Sequence, residues 1–172
     1  MDDLELQQYL FVLQGDLVIE DVLNPEEVGQ LNELMDLQDV PAPEESPRFG
    51  SAAGRAPEGP GFLQWGKPFC DLLDHPRIMP VLRFRLGDYF RLDRLYGMHM
   101  RVGMGAGALH SDYSASSFSA KSVPGERYHP PENELQNGFV VAAWSLSDAG
   151  PEIEGFNCIP GSHKSNFRLP QS

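Results

Sequence analysis

The sequence of 172 residues has few cations and no long apolar run. Nowhere do about eighteen apolar residues follow one another, so no stretch is expected to cross a membrane. Lysine and arginine number 13 against 25 aspartate and glutamate residues, which gives a formal charge of −12. This excess repels nucleic-acid backbones and anionic bilayers, and it excludes both as expected partners.

Cysteine is scarce as well. Cys70 and Cys158 lie far apart and form neither a metal-binding nor a redox spacing, so we expect both to be reduced, partly buried thiols. The first residues lack the basic region followed by an apolar run that marks a secretory signal. We therefore expect a cytoplasmic protein, folded as one domain over residues 1–172, with an ordinary composition of 41% apolar residues.

Helices are predicted mainly in the first half of the chain. Apolar residues over 4–13 indicate a short helix that ends at Gly15. Asn24, with proline next and a glutamate three positions later, is a helix start. Two further short helices are expected over 68–73 and 78–86.

Residues 38–61 contain so many prolines and glycines that no regular structure is expected. A lid over a site and a surface loop both fit this stretch.

One short strand is predicted between the first two helices, and the others follow the last helix. They are expected over residues 17–19, 89–92, 96–102, 138–146 and 156–159. In the strand over 96–102, Met98 alternates with His99, which predicts methionines on the buried face and a hydrogen-bonded histidine opposite. The run 138–146 is apolar enough to be buried on both faces or nearly so. Helices followed by short strands indicate an α+β protein whose working part is a sheet or barrel.

One pair of residues carries chemistry. His110 and Asp112 are two positions apart, and on a strand such residues project to the same face. A neutral nitrogen and an ionised oxygen together supply two of the three ligands in the facial set that holds non-haem Fe(II) with open positions. Taken alone, the triplet favours a hydrogen-bonded surface pair over a metal site, because short motifs occur often by chance.

Three separated stretches resemble the phytanoyl-CoA dioxygenase family. The first is residues 15–28, and the second is the His110-Ser111-Asp112 triplet. The third is residues 137–164, where Trp144-Ser145-Leu146-Ser147-Asp148 ends an apolar run and Pro160-Gly161-Ser162-His163-Lys164 follows. The order and spacing of the three make the resemblance specific over nearly the whole chain.

The resemblance implies a double-stranded β-helix, a cupin-like jelly roll fronted by N-terminal helices. It also implies an oxidoreductase that uses Fe(II), with 2-oxoglutarate as co-substrate, to hydroxylate a small molecule. By this likeness His110 and Asp112 are iron ligands, Trp144 flanks the oxoglutarate, and Met98 faces the cofactor, although Met100 matches nearly as well. Members that halogenate have a small residue at the carboxylate position, so Asp112 favours hydroxylation. No further catalytic side chain is assigned.

The distal iron histidine and the basic anchor for oxoglutarate lie in relatives well beyond residues 160–164. Only nine residues follow His163. We therefore expect a fragment with an incomplete barrel and little or no turnover of its own. His129 and His163 are weak substitutes for the third ligand, since loops seldom fix metal-ligand distances.

Two other classes of protein stay open. An inert jelly-roll binding module is favoured by the missing ligand, and a cupin-like enzyme without a co-substrate requires more histidines than the chain offers. A serine hydrolase is the weakest alternative because the Gly-x-Ser-x-Gly elbow is absent. The sequence specifies neither the substrate nor the oligomeric state.

Overall fold

The computed structural model describes residues 3–42, 44, 48–52, 61–99, 139–150, 153 and 155–165. In these ranges the elements are, in chain order, α1 (Asp3–Gln14), α2 (Pro25–Asp36), β1 (Arg48–Ala52), α3 (Phe62–Trp65), α4 (Lys67–Asp71), α5 (Met79–Leu86), β2 (Leu95–Met98) and a 3-10 helix (Ser162–Lys164). None of these helices has the length and apolar character that a membrane span requires.

Helix α2 begins at the predicted position and for the predicted reason. The Asn24 side chain accepts a hydrogen bond from the Glu27 N–H at 2.9 Å, and the Glu27 carboxylate accepts one from the Asn24 N–H at 2.8 Å. Two N–H groups that the helix itself leaves without partners are thereby satisfied. The apolar face of the helix is buried, and Leu31 on that face is only 1% exposed.

The end of α1 confirms the other predicted helix boundary. Gly15 follows the helix with φ +87°, a left-handed conformation that glycine adopts without a steric penalty. Its N–H still donates to the Phe11 carbonyl at 2.8 Å, so the chain leaves the helix at this residue.

A cluster of aromatic rings forms the buried core of the described residues. Phe62 in α3 lies 4.5 Å from Trp65 and 5.0 Å from Phe69 in α4, measured between ring centroids. Phe49 in β1 packs on Phe62 at 5.9 Å, and Leu31 of α2 joins the same cluster. Helices α4 and α5 match the two predicted short helices to within two residues, whereas α3 was not predicted.

The sheet contains a strand where none was expected. β1 pairs antiparallel with β2, with Arg48 opposite Met98 and Phe49 opposite Gly97. The prediction of no regular structure over 38–61 is therefore wrong for β1. A ladder partner 43 to 50 positions away supplies the hydrogen bonds that local composition could not reveal, and Gly97 leaves room for the Phe49 ring.

Other predicted strands are absent from the described structure. Residues 17–19, 89–92, 139–146 and 156–159 form no ladder with any described segment. The prediction that 138–146 is buried on both faces is also wrong over its described part, since Val141 is 62% exposed. Apolar composition favours a strand only when a neighbouring chain completes its hydrogen bonds.

Candidate functional site

The predicted iron ligands His110 and Asp112 lie outside the described residues, as do Met100 and His129. Among the residues that are described, no group of three or more histidine, cysteine, aspartate or glutamate side chains is arranged to hold a metal ion. The structure therefore leaves the assignment of the ligand pair as a prediction. Met98 and Trp144, the two remaining site residues, are both described.

Trp144 is half-buried and packs against a histidine. Its ring meets the His75 ring edge to face, with centroids 5.5 Å apart and an angle of 71° between the ring planes. His75 belongs to the connection between α4 and α5, and its Nδ1 accepts from the Arg77 N–H at 3.3 Å. The indole is thus fixed against the helical layer, as sequence reasoning did not foresee.

A single amide side chain of α2 also positions the segment that carries Trp144. The Asn32 Nδ2 donates to the Leu146 carbonyl at 2.8 Å, across 114 positions of sequence. Trp144 and Leu146 are half-buried, whereas Ala143, Ser145 and Ser147 are exposed. This alternation is typical of an extended segment lying with one face on a neighbouring layer.

Met98 lies on the exposed face of β2, and the prediction of a buried methionine face is wrong. Leu95 and Gly97 turn toward the aromatic core, whereas Tyr96 and Met98 turn away, with Met98 45% exposed. Phe49 selects this orientation, because its Cζ would lie only 2.4 Å from a Cβ at position 97. A contact between Met98 and a cofactor stays a prediction.

His99 has the satisfied, structural environment that was expected of it. Its ring lies 4.5 Å from the Phe49 ring, and its Nε2 is 3.2 Å from the Pro41 carbonyl. A hydrogen bond to backbone and a ring contact together account for this histidine without a metal.

A second polar cluster was missed by sequence reasoning. Asp16, Cys158 and His163 line a cavity of about 30 Å³ beside the end of α1. His163 was expected to hydrogen-bond locally; instead its Nε2 lies 3.1 Å from the Val12 carbonyl, 151 positions away. The sequence contains Gly15 and the 160–164 motif, but local patterns do not show that these two segments are in contact.

This cluster is not an activated thiol site. Local desolvation beside the cavity raises the pKa of the Cys158 thiol even though the residue as a whole is exposed, and the neighbouring Asp16 raises it further, so the thiolate is disfavoured. Burial lowers the pKa of His163, which keeps the imidazole neutral. Both cysteines are free thiols; Cys70 is partly buried as expected, whereas Cys158 is exposed.

Comparison with known proteins identifies the family. The family model described as phytanoyl-CoA dioxygenase (PhyH) matches residues 11–171. The chain belongs to this family. No curated protein and no solved structure matches the chain in the same comparisons.

Membership of the phytanoyl-CoA dioxygenase family confirms the resemblance found in the sequence. The family fold is a cupin-like jelly roll, and its members are generally Fe(II)/2-oxoglutarate dioxygenases. The described part of this chain contains helices and one two-stranded antiparallel sheet. The matched range includes His110, Asp112 and Trp144 together with residues 160–164.

Proposed function

We propose that this chain supplies part of an Fe(II)/2-oxoglutarate-dependent dioxygenase that hydroxylates a small molecule. The observation that carries the proposal is the family match over residues 11–171, because it places the His110-Ser111-Asp112 triplet inside a domain whose members use this chemistry. The net charge of −12 disfavours a polyanionic substrate and favours a neutral or cationic small molecule.

The donor set has the right chemical character for iron. His110 offers a neutral nitrogen and Asp112 an ionised oxygen, which are two of the three ligands of a facial set. When bound, the iron and its 2-oxo acid supply the oxidising chemistry, and that reactivity is the cofactor's own. A carboxylate at position 112 occupies the coordination position that halogenating relatives leave open, so hydroxylation is the proposed outcome.

Trp144 supports the proposal as a rigid wall beside the co-substrate. Its ring is fixed by the His75 edge, and its segment is tied to α2 through Asn32. A side chain whose orientation is set before binding loses little entropy when a ligand packs on it. Its tasks are therefore to orient the oxoglutarate and to exclude water.

The test is Fe(II) binding by the 172-residue chain under anaerobic conditions, with succinate release measured separately. His110→Ala and Asp112→Asn are each expected to weaken Fe(II) binding by at least about tenfold, because loss of supporting groups alone costs this much at metal sites. Asp88→Asn is the matched control, since Asp88 is an exposed aspartate after α5. It should bind iron like the unaltered chain.

Equal Fe(II) affinity in Asp112→Asn, Asp88→Asn and the unaltered chain would refute the ligand assignment. Because little or no turnover is expected of this chain by itself, Fe(II) binding that requires His110 and Asp112 supports the ligand assignment even without succinate release, and an inert jelly-roll binding module gives the same result. Succinate release that requires both His110 and Asp112 would establish the oxygenase.

A further inference from the structure

The segment 160–164 binds the end of α1. The Gly161 N–H donates to the Gln14 carbonyl at 2.5 Å, the Lys164 Nζ donates to the Leu13 carbonyl at 3.2 Å, and the His163 Nε2 lies 3.1 Å from the Val12 carbonyl. The only other group in the last turn, the Phe11 carbonyl, receives the Gly15 N–H. All four carbonyls that a helix leaves without internal partners are therefore satisfied.

The C-terminus of helix α1 has no stabilising cation of its own. Its own last turn contains no basic residue, although cations near a helix C-terminus stabilise the partial negative charge there. Lys164 supplies the cation from 151 positions away. The contact is thus complementary in charge as well as in hydrogen bonding.

The His163 ring packs directly against the backbone of Gly15. A Cβ at position 15 would lie 2.0 Å from the His163 Nδ1 and 2.6 Å from its Cγ, so any side chain there displaces the ring. Position 15 therefore requires glycine twice, for its left-handed backbone and for the close approach of the imidazole. Gly87, at the end of α5, has a similar φ of +79° but nothing within 4 Å.

The imidazole is held in its neutral form by geometry. Its Nε2 faces a carbonyl, which only accepts, so the ring proton belongs on Nε2. Its Nδ1 is buried and has no hydrogen-bond partner among the described residues. A proton on Nδ1 would add a second buried donor beside Gly15 that makes no hydrogen bond in this geometry, and the Gln14 carbonyl offsets that cost only in part.

Taken together, the groups around His163 favour the neutral imidazole. Burial lowers the pKa of His163 and is the largest cause, and the Lys164 and Arg85 cations lower it further. The Val12 and Gln14 carbonyls oppose the change by raising it. Asp16 and Cys158, which line the same cavity, complete the titratable surroundings.

We propose that residues 160–164 are a pH-sensitive clasp that closes on the C-terminus of α1 when His163 is neutral and opens when it is protonated. The clasp joins the two ends of the described chain and requires no iron. It is a role for residues 160–164, none of which is assigned as a metal ligand.

The direction of the pH effect follows from the lowered pKa. Above the ordinary histidine value of about 6.5, both closed and open forms are neutral and the clasp keeps its full stability. As the pH falls below that value, the open form binds a proton more readily, so closure weakens until the pH passes the pKa of the closed form. At about pH 5.5 one histidine can shift the opening equilibrium by at most roughly tenfold.

The first arm of the test uses hydrogen exchange of the full chain and needs no substitution. Peptides covering 155–165, corrected for intrinsic rates, should lose up to roughly tenfold of their protection between about pH 7.5 and about pH 5.5. Peptides covering α2 are the internal reference and should change little. Unchanged protection at 155–165 across this range would overturn the proposal.

The second arm compares Gly15→Ala with Gly87→Ala at neutral pH. Both substitutions carry the backbone penalty of a left-handed alanine, but only the first collides with His163. Gly15→Ala should open residues 155–165 at least about tenfold more than Gly87→Ala does. Equal protection of 155–165 in the two variants would show that the clasp is not formed.

The third arm is His163→Gln, whose amide nitrogen takes the place of Nε2 and does not titrate. Protection of 155–165 should then be nearly independent of pH over the same range. A variant that keeps the pH dependence of the unaltered chain would exclude His163 as the sensor.

Discussion

Residues 139–146 are far more apolar than α2, yet α2 is the better buried of the two. Leu31 in the polar-faced helix is 1% exposed, whereas Val141 in the apolar run is 62% exposed. The helix meets a cluster of aromatic rings that fills the space beside it. The apolar run is held by the Asn32 hydrogen bond and the Trp144 ring, while its residues 141–143 and 145 are exposed. Burial is thus determined by the available partner surface, not by the hydropathy of the segment.

The largest expected effect compares two phenylalanines, one inside the aromatic cluster and one exposed. Phe69→Ala should lower the free energy of unfolding by about 3–5 kcal/mol, because the ring is 3% exposed and its removal leaves a cavity among the aromatic rings. Phe156→Ala, at a residue 73% exposed, should change it by less than about 0.5 kcal/mol. Urea denaturation measures both; similar losses would show that the two rings are equally packed and that burial does not follow the partner surface beside each ring.

A smaller effect is expected from adding a methyl group at one crowded glycine and at one glycine with open space around it. Gly97→Ala should destabilise the chain by about 1–3 kcal/mol, since the new Cβ would lie 2.4 Å from the Phe49 ring. Gly150→Ala meets nothing within 4 Å and should be nearly neutral. Thermal unfolding distinguishes them, and a neutral Gly97→Ala would mean that the sheet yields more easily than its packing indicates.

The smallest of these effects concerns two asparagines. Asn24→Ala should cost about 1 kcal/mol, because it removes the side-chain acceptor at the start of α2. Asn157→Ala loses only a local bond to the Gly155 carbonyl and should cost less than about 0.5 kcal/mol. Denaturation of both variants measures the difference, and an equal cost would indicate that the Asn157 hydrogen bond stabilises its segment as much as the Asn24 cap stabilises α2.

The features predicted correctly from the sequence depend on residues close together in the chain. Asn24 and Glu27 are three positions apart, and Gly15 directly follows its helix, so their roles could be inferred from local chemistry. The family resemblance was found in the same way, from short motifs in the correct order, and it is confirmed over residues 11–171.

The features predicted wrongly depend on which distant segments meet. The strand at 48–52 exists because β2 pairs with it, and the inward face of β2 is chosen by the Phe49 ring. The Val12 carbonyl as partner of His163 is likewise separated from it by most of the chain. Of the candidate site, Trp144 and Met98 could be located in the fold, whereas the His110 and Asp112 assignment stays a prediction.

The hydrogen bond from Asn32 to Leu146 sets the phase of the apolar segment. With that carbonyl fixed on α2, the even-numbered side chains Trp144 and Leu146 point to the helices and their odd-numbered neighbours point outward. A slip of one residue would place Ser145 against His75 and carry the indole to the opposite side. One amide group on α2 thereby decides whether Trp144 faces the helices.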